Sequence, residues 1–364
     1  MRKINLVEPL IGKEEKKAMA EYLDSGGWLT EFEKTKEFER RIADYVGSRY
    51  ASVVTNGTVS LAIATMALDI KGEDEVIVPD YTMIASANAV VLAGVKPVFA
   101  DIDPKNLCLD FEKMKSAVTP RTKAVMLVTI NGRYPEIEKF TRFCAENNLY
   151  LIEDAAQSFG SKYKGKYLGT FGTIGSFSFS PHKIITTGQG GCLVTNDEKL
   201  YQKILKIKDF GRTKSGVDYH ETMGFNFKFT DLQSVIGIEQ IKKIEWRVKR
   251  KKEIYSKYRE LLNDIKDIKF VKTNLEDTAP WFIDILVAED IRDKLAEFLK
   301  NKGIGTRPFY PAIHTQPPYS WVRGDFKNSE DVSKKGLWLP SSLGLKDEEI
   351  KYVCQSIKEF FNKS

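Results

Sequence analysis

Three stretches of this 364-residue chain hold residue types that could do chemistry, and each lies where an apolar run ends. From Ile174 to Thr195 the sequence reads as strand, corner, strand: an alternating run ends in Pro181-His182-Lys183, and Gly188-Gln189-Gly190-Gly191 leads into a second apolar run. A lysine on an exposed corner between buried strands has a fixed backbone and a mobile four-carbon stem, which suits an amine that forms a Schiff base. Asp154 follows the apolar Leu149-Tyr150-Leu151-Ile152. A carboxylate partly buried at a strand end needs an N–H or cationic partner to offset desolvation, and either a helix cap or a protonated pyridine nitrogen meets that need. Gln157, three residues on, lies on the same side if the segment turns helically, and could donate to a phenolic oxygen. Asn56-Gly57-Thr58 ends a short strand and opens a helix, so its free N–H groups and the positive helix end form a phosphate seat; the same residues also make an ordinary turn and N-cap.

Singly, each stretch has an ordinary reading, and a lone lysine is normally a solvated charge. As a set they are the parts pyridoxal phosphate requires: an imine-forming amine, a carboxylate that keeps a ring nitrogen protonated, and a phosphate anchor. Ser178, five residues before Lys183, is within reach of the same phosphate.

These residues need elements to hold them. Amphipathic helices are expected over 13–23 and 31–46, with Trp28 in the glycine-flanked loop between them. Strands at 51–55, 75–79, 98–101, 124–130 and 149–153 then alternate with helices at 59–68, 84–93, 111–117 and 137–147. That order implies an α/β fold with a mostly parallel central sheet flanked by helices, and ligands at the carboxyl ends of the strands. A single long helix is expected from Thr230 to about Asp264, followed by strands at 268–271 and 281–287, a helix at 290–302, an extended segment at 304–309 and a terminal helix at 348–362. The expected division is a large domain, 1–246, and a smaller α+β domain, 247–364.

Composition excludes more than it selects. An apolar fraction of 42% and a charged fraction of 29% are ordinary for a globular chain. The net charge is +6, and the strongest basic run, Arg247 to Lys252, reads as a solvated helix face; no nucleic acid partner is expected. Cys108, Cys144, Cys192 and Cys354 lack metal-ligand or disulfide spacing, so no metal is expected and free thiols in a reducing compartment are. With no apolar run of about 18 residues and no leader-like N-terminus, no membrane partner is expected and the cytoplasm is the expected location.

Thr55-Asn56-Gly57-Thr58, Glu153-Asp154-Ala155-Ala156-Gln157, the run Ser176 to Lys183, Gly188-Gln189-Gly190-Gly191 and the run Gly224 to Gln233 together resemble the DegT/DnrJ/EryC1/StrS sugar-nucleotide aminotransferases, in order and over nearly the whole chain. The resemblance implies a fold-type I, pyridoxal-phosphate enzyme. It implies that Lys183 holds the cofactor and moves the proton between the carbon losing its amine and the one gaining it. Asp154 matches the pyridine-nitrogen partner, Gln157 the group near the ring hydroxyl, and Ser178, Gly57 and Thr58 the phosphate binders. Asn226, with Lys228 as the alternative, matches a residue reaching the phosphate from the neighbouring subunit, which implies a homodimer with shared sites.

The chain departs from the family pattern in two places. Met83 stands where a ring usually stacks on the cofactor, and Thr129-Ile130-Asn131-Gly132 stands where a histidine and glycine pair is common. A branch that removes a hydroxyl has histidine at the lysine position. Counting from Ser178 puts Lys183 there, with His182 expected to point away because neighbours on an extended corner face opposite sides. Trp28, His220, Arg307, Tyr310, His314 and Tyr319 are the candidate substrate contacts. The Thr306–Tyr319 and Tyr219–Glu221 stretches resemble the branch that aminates the C4 ketone of GDP-4-keto-6-deoxymannose with glutamate. Other dTDP- or UDP-linked keto sugars are the alternative, and a non-catalytic cofactor-binding regulator is a reading of a different class.

Overall fold

The computed structural model describes residues 3–214 and 216–363. The apolar runs of the first half become the strands β1 (Tyr50–Val54), β2 (Glu75–Pro79), β3 (Lys96–Ala100), β4 (Thr122–Val128) and β5 (Tyr150–Asp154). After a small hairpin, β6 (Lys162–Tyr163) and β7 (Lys166–Tyr167), come β8 (Ile174–Ser178) and β9 (Gly191–Thr195). Seven of these form one sheet in the order β1-β9-β8-β5-β4-β2-β3. The pairs β8–β5, β5–β4, β4–β2 and β2–β3 are parallel, whereas β9 runs antiparallel to both neighbours. Residues 179–190 between β8 and β9 contain no helix, so the chain returns beside β8 in the opposite direction without a crossover. The sheet is buried on both faces. Val76, Val78, Met126 and Ile152 join one apolar core, while Ile77, Val125, Leu127 and Leu151 join another, as a side-chain period of two requires.

The smaller antiparallel sheet is β10 (Lys269–Phe270), β11 (Ile283–Leu286), β12 (Arg307–Pro308) and β13 (Gly336–Leu339), ordered β10-β11-β13-β12. β13 and the preceding helix Lys327–Lys335 are elements the sequence pattern did not disclose. Ile4 bridges to Ile304 and is buried in the core of this smaller unit, so the N-terminal segment packs on the C-terminal half before the chain enters the large sheet.

Two expectations need correction. The long helix breaks at Lys242-Lys243 into Asp231–Ile241 and Ile244–Leu262, with Lys243 at φ −106° and ψ 12°, outside the helical well. The bend lets Ile244 and Val248 stay with the large-domain core while Ile254, Tyr255 and Tyr258 enter the small-domain core. The expected boundary at 246 and 247 falls inside that second helix. The basic run on it is also not a solvated face: Arg247 and Lys251 are each only 2% exposed. One helical turn apart, they point inward, where Arg247 donates to the carbonyls of Ile184 (3.2 Å) and Leu10 (3.1 Å), and Lys251 to those of Trp281 and Ser341 (both 2.6 Å). Carbonyl oxygens in place of water offset part of the cost of burying these two groups, and burial still lowers the pKa of Lys251 to about 7. Between the two units Tyr81, Trp281, Phe282, Phe309, Tyr310 and Trp338 form a shared aromatic core.

Candidate active site

A cleft of about 530 Å³ opens where β1, β5 and β8 end, with Trp281, Arg307 and Tyr310 of the smaller unit along its other wall. That volume lies within the range of about 300–1,000 Å³ usual for small-molecule sites. Asp154 is the last residue of β5 and is 6% exposed. Ser86 Oγ donates to its Oδ2 at 2.6 Å and the Ala156 N–H to its Oδ1 at 3.1 Å, while Thr82 Oγ1 lies 3.1 Å from Ser86 Oγ. Burial raises its pKa above the usual carboxylate range; Ser86, the Ala156 N–H and the charge of Lys183 oppose that shift. Residues 155–160 form turns, so Asp154 caps no helix, and the pairing alternative is the one its surroundings leave open. Gln157 lines the same cleft and its Oε1 accepts the Asn131 N–H at 2.8 Å. The amide nitrogen therefore remains as the donor.

Lys183 follows a turn closed by its own N–H on the Ser180 carbonyl at 3.0 Å. Its Nζ lies 3.9 Å from the centroid of the Trp281 ring. Burial pushes its pKa down to about 7, with the Asp154 carboxylate acting the other way. The small-domain wall covers one side of the corner, so Pro181, His182 and Lys183 are half-buried while Gly188 and Gln189 stay exposed. His182 lines the cleft as well, contrary to the expectation that it points away. These residues form a turn and not an extended strand, so the alternation rule does not apply. Burial first, then the charges of Lys183, Arg307 and Lys251, holds His182 down to about 4, and the imidazole is neutral at physiological pH.

At the end of β1, Asn56 caps the helix Gly57–Ala67 by accepting the Val59 N–H on Oδ1 at 3.0 Å. The N–H groups of Gly57 and Thr58 have no intrahelical acceptor, and both residues line the cleft beside Ser178. A Cβ on Gly57 would stand 3.0 Å from the Ser178 Cβ, so only glycine lets the helix end approach the end of β8 this closely. Met83 sits on the cleft wall, partly exposed.

The other candidates lie outside this cleft. Trp28 is 64% exposed beside Phe32. His220 is exposed, with Nδ1 2.8 Å from the Phe210 carbonyl oxygen. Asn226 bridges Asp209, and Lys228 forms an ion pair with Asp209 at 2.6 Å. His314 is held by Asp80, Nδ1 to Oδ2 at 2.7 Å, and stacks on Phe326. Tyr319 is buried edge-on against Phe99, with its hydroxyl donating to Asn88 Oδ1 at 2.7 Å. Within one chain the last two fasten the proline-rich segment to the large domain. Trp281, Ser180 and Gln189 line the cleft without having been expected there. Trp281 was legible only as a strand residue, and no local pattern marks an indole that reaches across a domain boundary.

The donor set fits pyridoxal phosphate: an amine partly neutral near pH 7, a buried carboxylate for a ring nitrogen, an amide donor beside it, and a helix end with a hydroxyl for the phosphate. The model of the DegT/DnrJ/EryC1/StrS aminotransferase family matches residues 9–358. The GDP-perosamine synthase of Escherichia coli O157:H7 is 37% identical over 364 residues, spanning 100% of both chains. The dTDP-4-dehydro-2,3,6-trideoxy-D-glucose 4-aminotransferase of Saccharopolyspora spinosa is 32% identical, over 98% of this chain and 96% of its own. The solved structure of E. coli GDP-4-keto-6-deoxy-D-mannose-3-dehydratase with bound hydrated PLP has a TM-score of 0.91 at 26% identity, over 98% of this chain and 100% of that one. Motifs, fold and cleft agree with these matches, and the chain belongs to the DegT/DnrJ/EryC1/StrS family of pyridoxal-phosphate-dependent aminotransferases.

Proposed function

We propose that this enzyme transfers the amino group of L-glutamate to the C4 ketone of GDP-4-keto-6-deoxymannose, giving GDP-perosamine, in the cytoplasm. The observation that carries the aminotransferase chemistry is the pairing of Lys183 and Asp154 across one cleft, with burial lowering the lysine's pKa to about 7. The GDP-sugar assignment is supported by the full-length likeness to the E. coli GDP-perosamine synthase.

Bound in the cleft, pyridoxal phosphate supplies an electron sink for the carbon that loses its proton. Asp154, anchored by Ser86 and the Ala156 N–H, keeps a ring nitrogen protonated. Gln157, whose Oε1 is fixed by the Asn131 N–H, would offer its amide N–H to a phenolic oxygen. Gly57 and Thr58 offer N–H groups, and Ser178 its hydroxyl, to a phosphate at a helix N-terminus. Lys183 anchors the cofactor through its amine and holds or moves the proton at Nζ; an amine titrating near 7 both accepts and returns a proton at neutral pH. Arg307, stacked over Tyr310 and Trp338 at 5.3 and 5.5 Å, is placed to receive a carboxylate or a diphosphate at the cleft wall.

We further read the active unit as a homodimer in which Asn226, or Lys228 as the alternative, serves the partner's site, and the two domains as dividing along the helix Ile244–Leu262. A second substrate reading, a dTDP-linked 4-keto sugar, is favoured by the S. spinosa relative. The experiment that separates them loads the amine from glutamate and follows its loss with a panel of GDP-, dTDP- and UDP-linked 4-keto sugars. Preference for the GDP sugar is expected; preference for dTDP overturns the substrate and leaves the chemistry intact. The native protein with pyridoxal phosphate is expected to show a near-violet absorbance band that Lys183→Ala abolishes, and its absence from the native protein sinks the catalytic reading.

A further inference from the structure

Trp281 lies in no motif and is 99 residues from His182 in sequence, yet it touches the lysine corner at two points. Its indole N–H donates to the His182 carbonyl at 2.7 Å, immediately before Lys183. Its ring face lies 3.9 Å from Lys183 Nζ, and its ring centroid is 5.4 Å from that of His182. The indole is itself fixed. Trp281 is 1% exposed, packs against Phe282 at 4.1 Å between centroids, and accepts a hydrogen bond from the buried Lys251 on its own carbonyl at 2.6 Å. Lys251 also donates to the Ser341 carbonyl at 2.6 Å, so the same amine ties Trp281 to a second, separate segment.

We propose that Trp281 is the positioning residue for Lys183: its N–H fixes the corner, and its ring face keeps the amine inside the cleft before the cofactor arrives. This rests on the reading of Lys183 as the anchoring amine. The physical need is plain. A lysine stem is flexible, and the turn that carries Lys183 has no ladder of strand hydrogen bonds to hold it. An aromatic face attracts the ammonium and is nonetheless easily left, because it forms no directional bond to Nζ. The other charged or titratable groups here, Asp154, His182, Arg307 and Tyr310 in the cleft and Lys251 behind the Trp281 carbonyl, whose pKa burial lowers to about 7, are common to the variants below.

The test uses the cofactor-free protein with Trp281→Phe, which keeps a ring but has no N–H donor, and Trp281→Leu, which has neither. Capture of pyridoxal phosphate is followed by absorbance and by borohydride trapping with peptide mapping to Lys183, between about pH 6 and about pH 9, beside the melting temperature. Near pH 7, where the protonated amine still meets the ring face and its neutral form is present to react, capture is expected to slow about tenfold in the Phe variant and about a hundredfold in the Leu variant, the cost of a misplaced reacting group. Capture within about twofold of native in both variants overturns the inference while leaving the enzyme reading standing. No capture at Lys183 in the native protein overturns both. A second readout does not depend on those variants folding: Lys183→Met is expected to change the near-ultraviolet circular dichroism of tryptophan, because it removes the cation from the indole face. An unchanged tryptophan spectrum overturns the seat on the ring.

Discussion

Lys183 holds an amine whose protonation is set by its surroundings more than by its chemistry. Burial lowers its pKa from 10.5 to about 7, and the Asp154 charge recovers part of the loss. The folded chain therefore binds fewer protons than the unfolded chain between those two values, and the stability of the cofactor-free protein rises with pH across that window. Below about pH 7 the cost of the buried ammonium is present in full, and above about pH 10 it is gone. Lys183→Met, which has no proton to lose, is thus expected to melt above the native protein by about 3 °C or more at pH 6. The gap is expected to close as pH approaches 10. Calorimetry of the two cofactor-free proteins across pH checks this, and a gap that widens with pH contradicts the sign. Asp154 and His182 set the context. The carboxylate is pushed up by burial yet held by two donors, and the imidazole, down to about 4, adds no competing charge at neutral pH.

At the scale of elements, the site is a junction between strand ends of the large sheet and β11 of the small one, and Asn131 is the joint. It follows β4 with φ at +52°, a left-handed conformation that asparagine tolerates better than most residues. Its side chain accepts the Phe282 N–H at 2.6 Å and donates to the Phe282 carbonyl at 3.0 Å and to Asp284 Oδ2 at 2.8 Å. Its own N–H orients Gln157. Arg133 neutralises Asp284 in the same buried group at 2.5 Å. Asn131→Ala strands several buried polar groups and adds left-handed strain. It is expected to cost about 3 kcal/mol or more, read as a loss in denaturant midpoint at unchanged slope. Much of the site was legible before any coordinates: Gly57, Thr58, Asp154, Gln157, Ser178 and Lys183 are local to strand ends, where apolar runs stop and polar residues begin, and all six line the cleft. The kink at Lys242-Lys243, the inward Arg247 and Lys251, the helix Lys327–Lys335 with β13, and Trp281 were not legible. Each depends on packing between segments far apart in sequence, whereas periodicity reports only on neighbours. The position of Asn131 was noticed as a departure from the family, but its work as a clasp needed the opposite strand to be seen.

Across the whole molecule, the described residues of the segment 209–226 form an arm, tied at its base by bridges between Asp209 and Asn226 and between Arg212 and His220. Its apolar side chains face outward: Met223 is 79% exposed, and Phe225, Val217 and Tyr219 are exposed as well. Beside it a groove of about 710 Å³ is lined by apolar residues such as Met66, Leu92, Ile207, Met223 and Phe225 together with the charged Asp69, Lys203, Lys206 and Glu221. Exposed apolar side chains of this size suit a surface that another chain covers, and in the proposed homodimer a second copy would offer the same arm and groove in return. Asn226, and Lys228 as its alternative, stand at the root of the arm and outside their own chain's cleft, where the proposed shared-site dimer would need a residue that serves the partner. Met223→Glu with Phe225→Glu places two charges in that face and is expected to leave a folded monomer by light scattering, with aminotransferase activity reduced about a hundredfold or more. Complementation gives the sharper test. Lys183→Ala and the double variant Asn226→Ala with Lys228→Ala are each expected to be nearly inactive alone. After the two proteins are unfolded and refolded together in equal amounts, about half of the dimers are mixed, and each mixed dimer holds one site with every native group, so about a quarter of native activity is expected. Recovery of none, with mixed dimers confirmed by mass spectrometry, shows that a lysine works with the arm residues of its own chain and removes the shared-site reading.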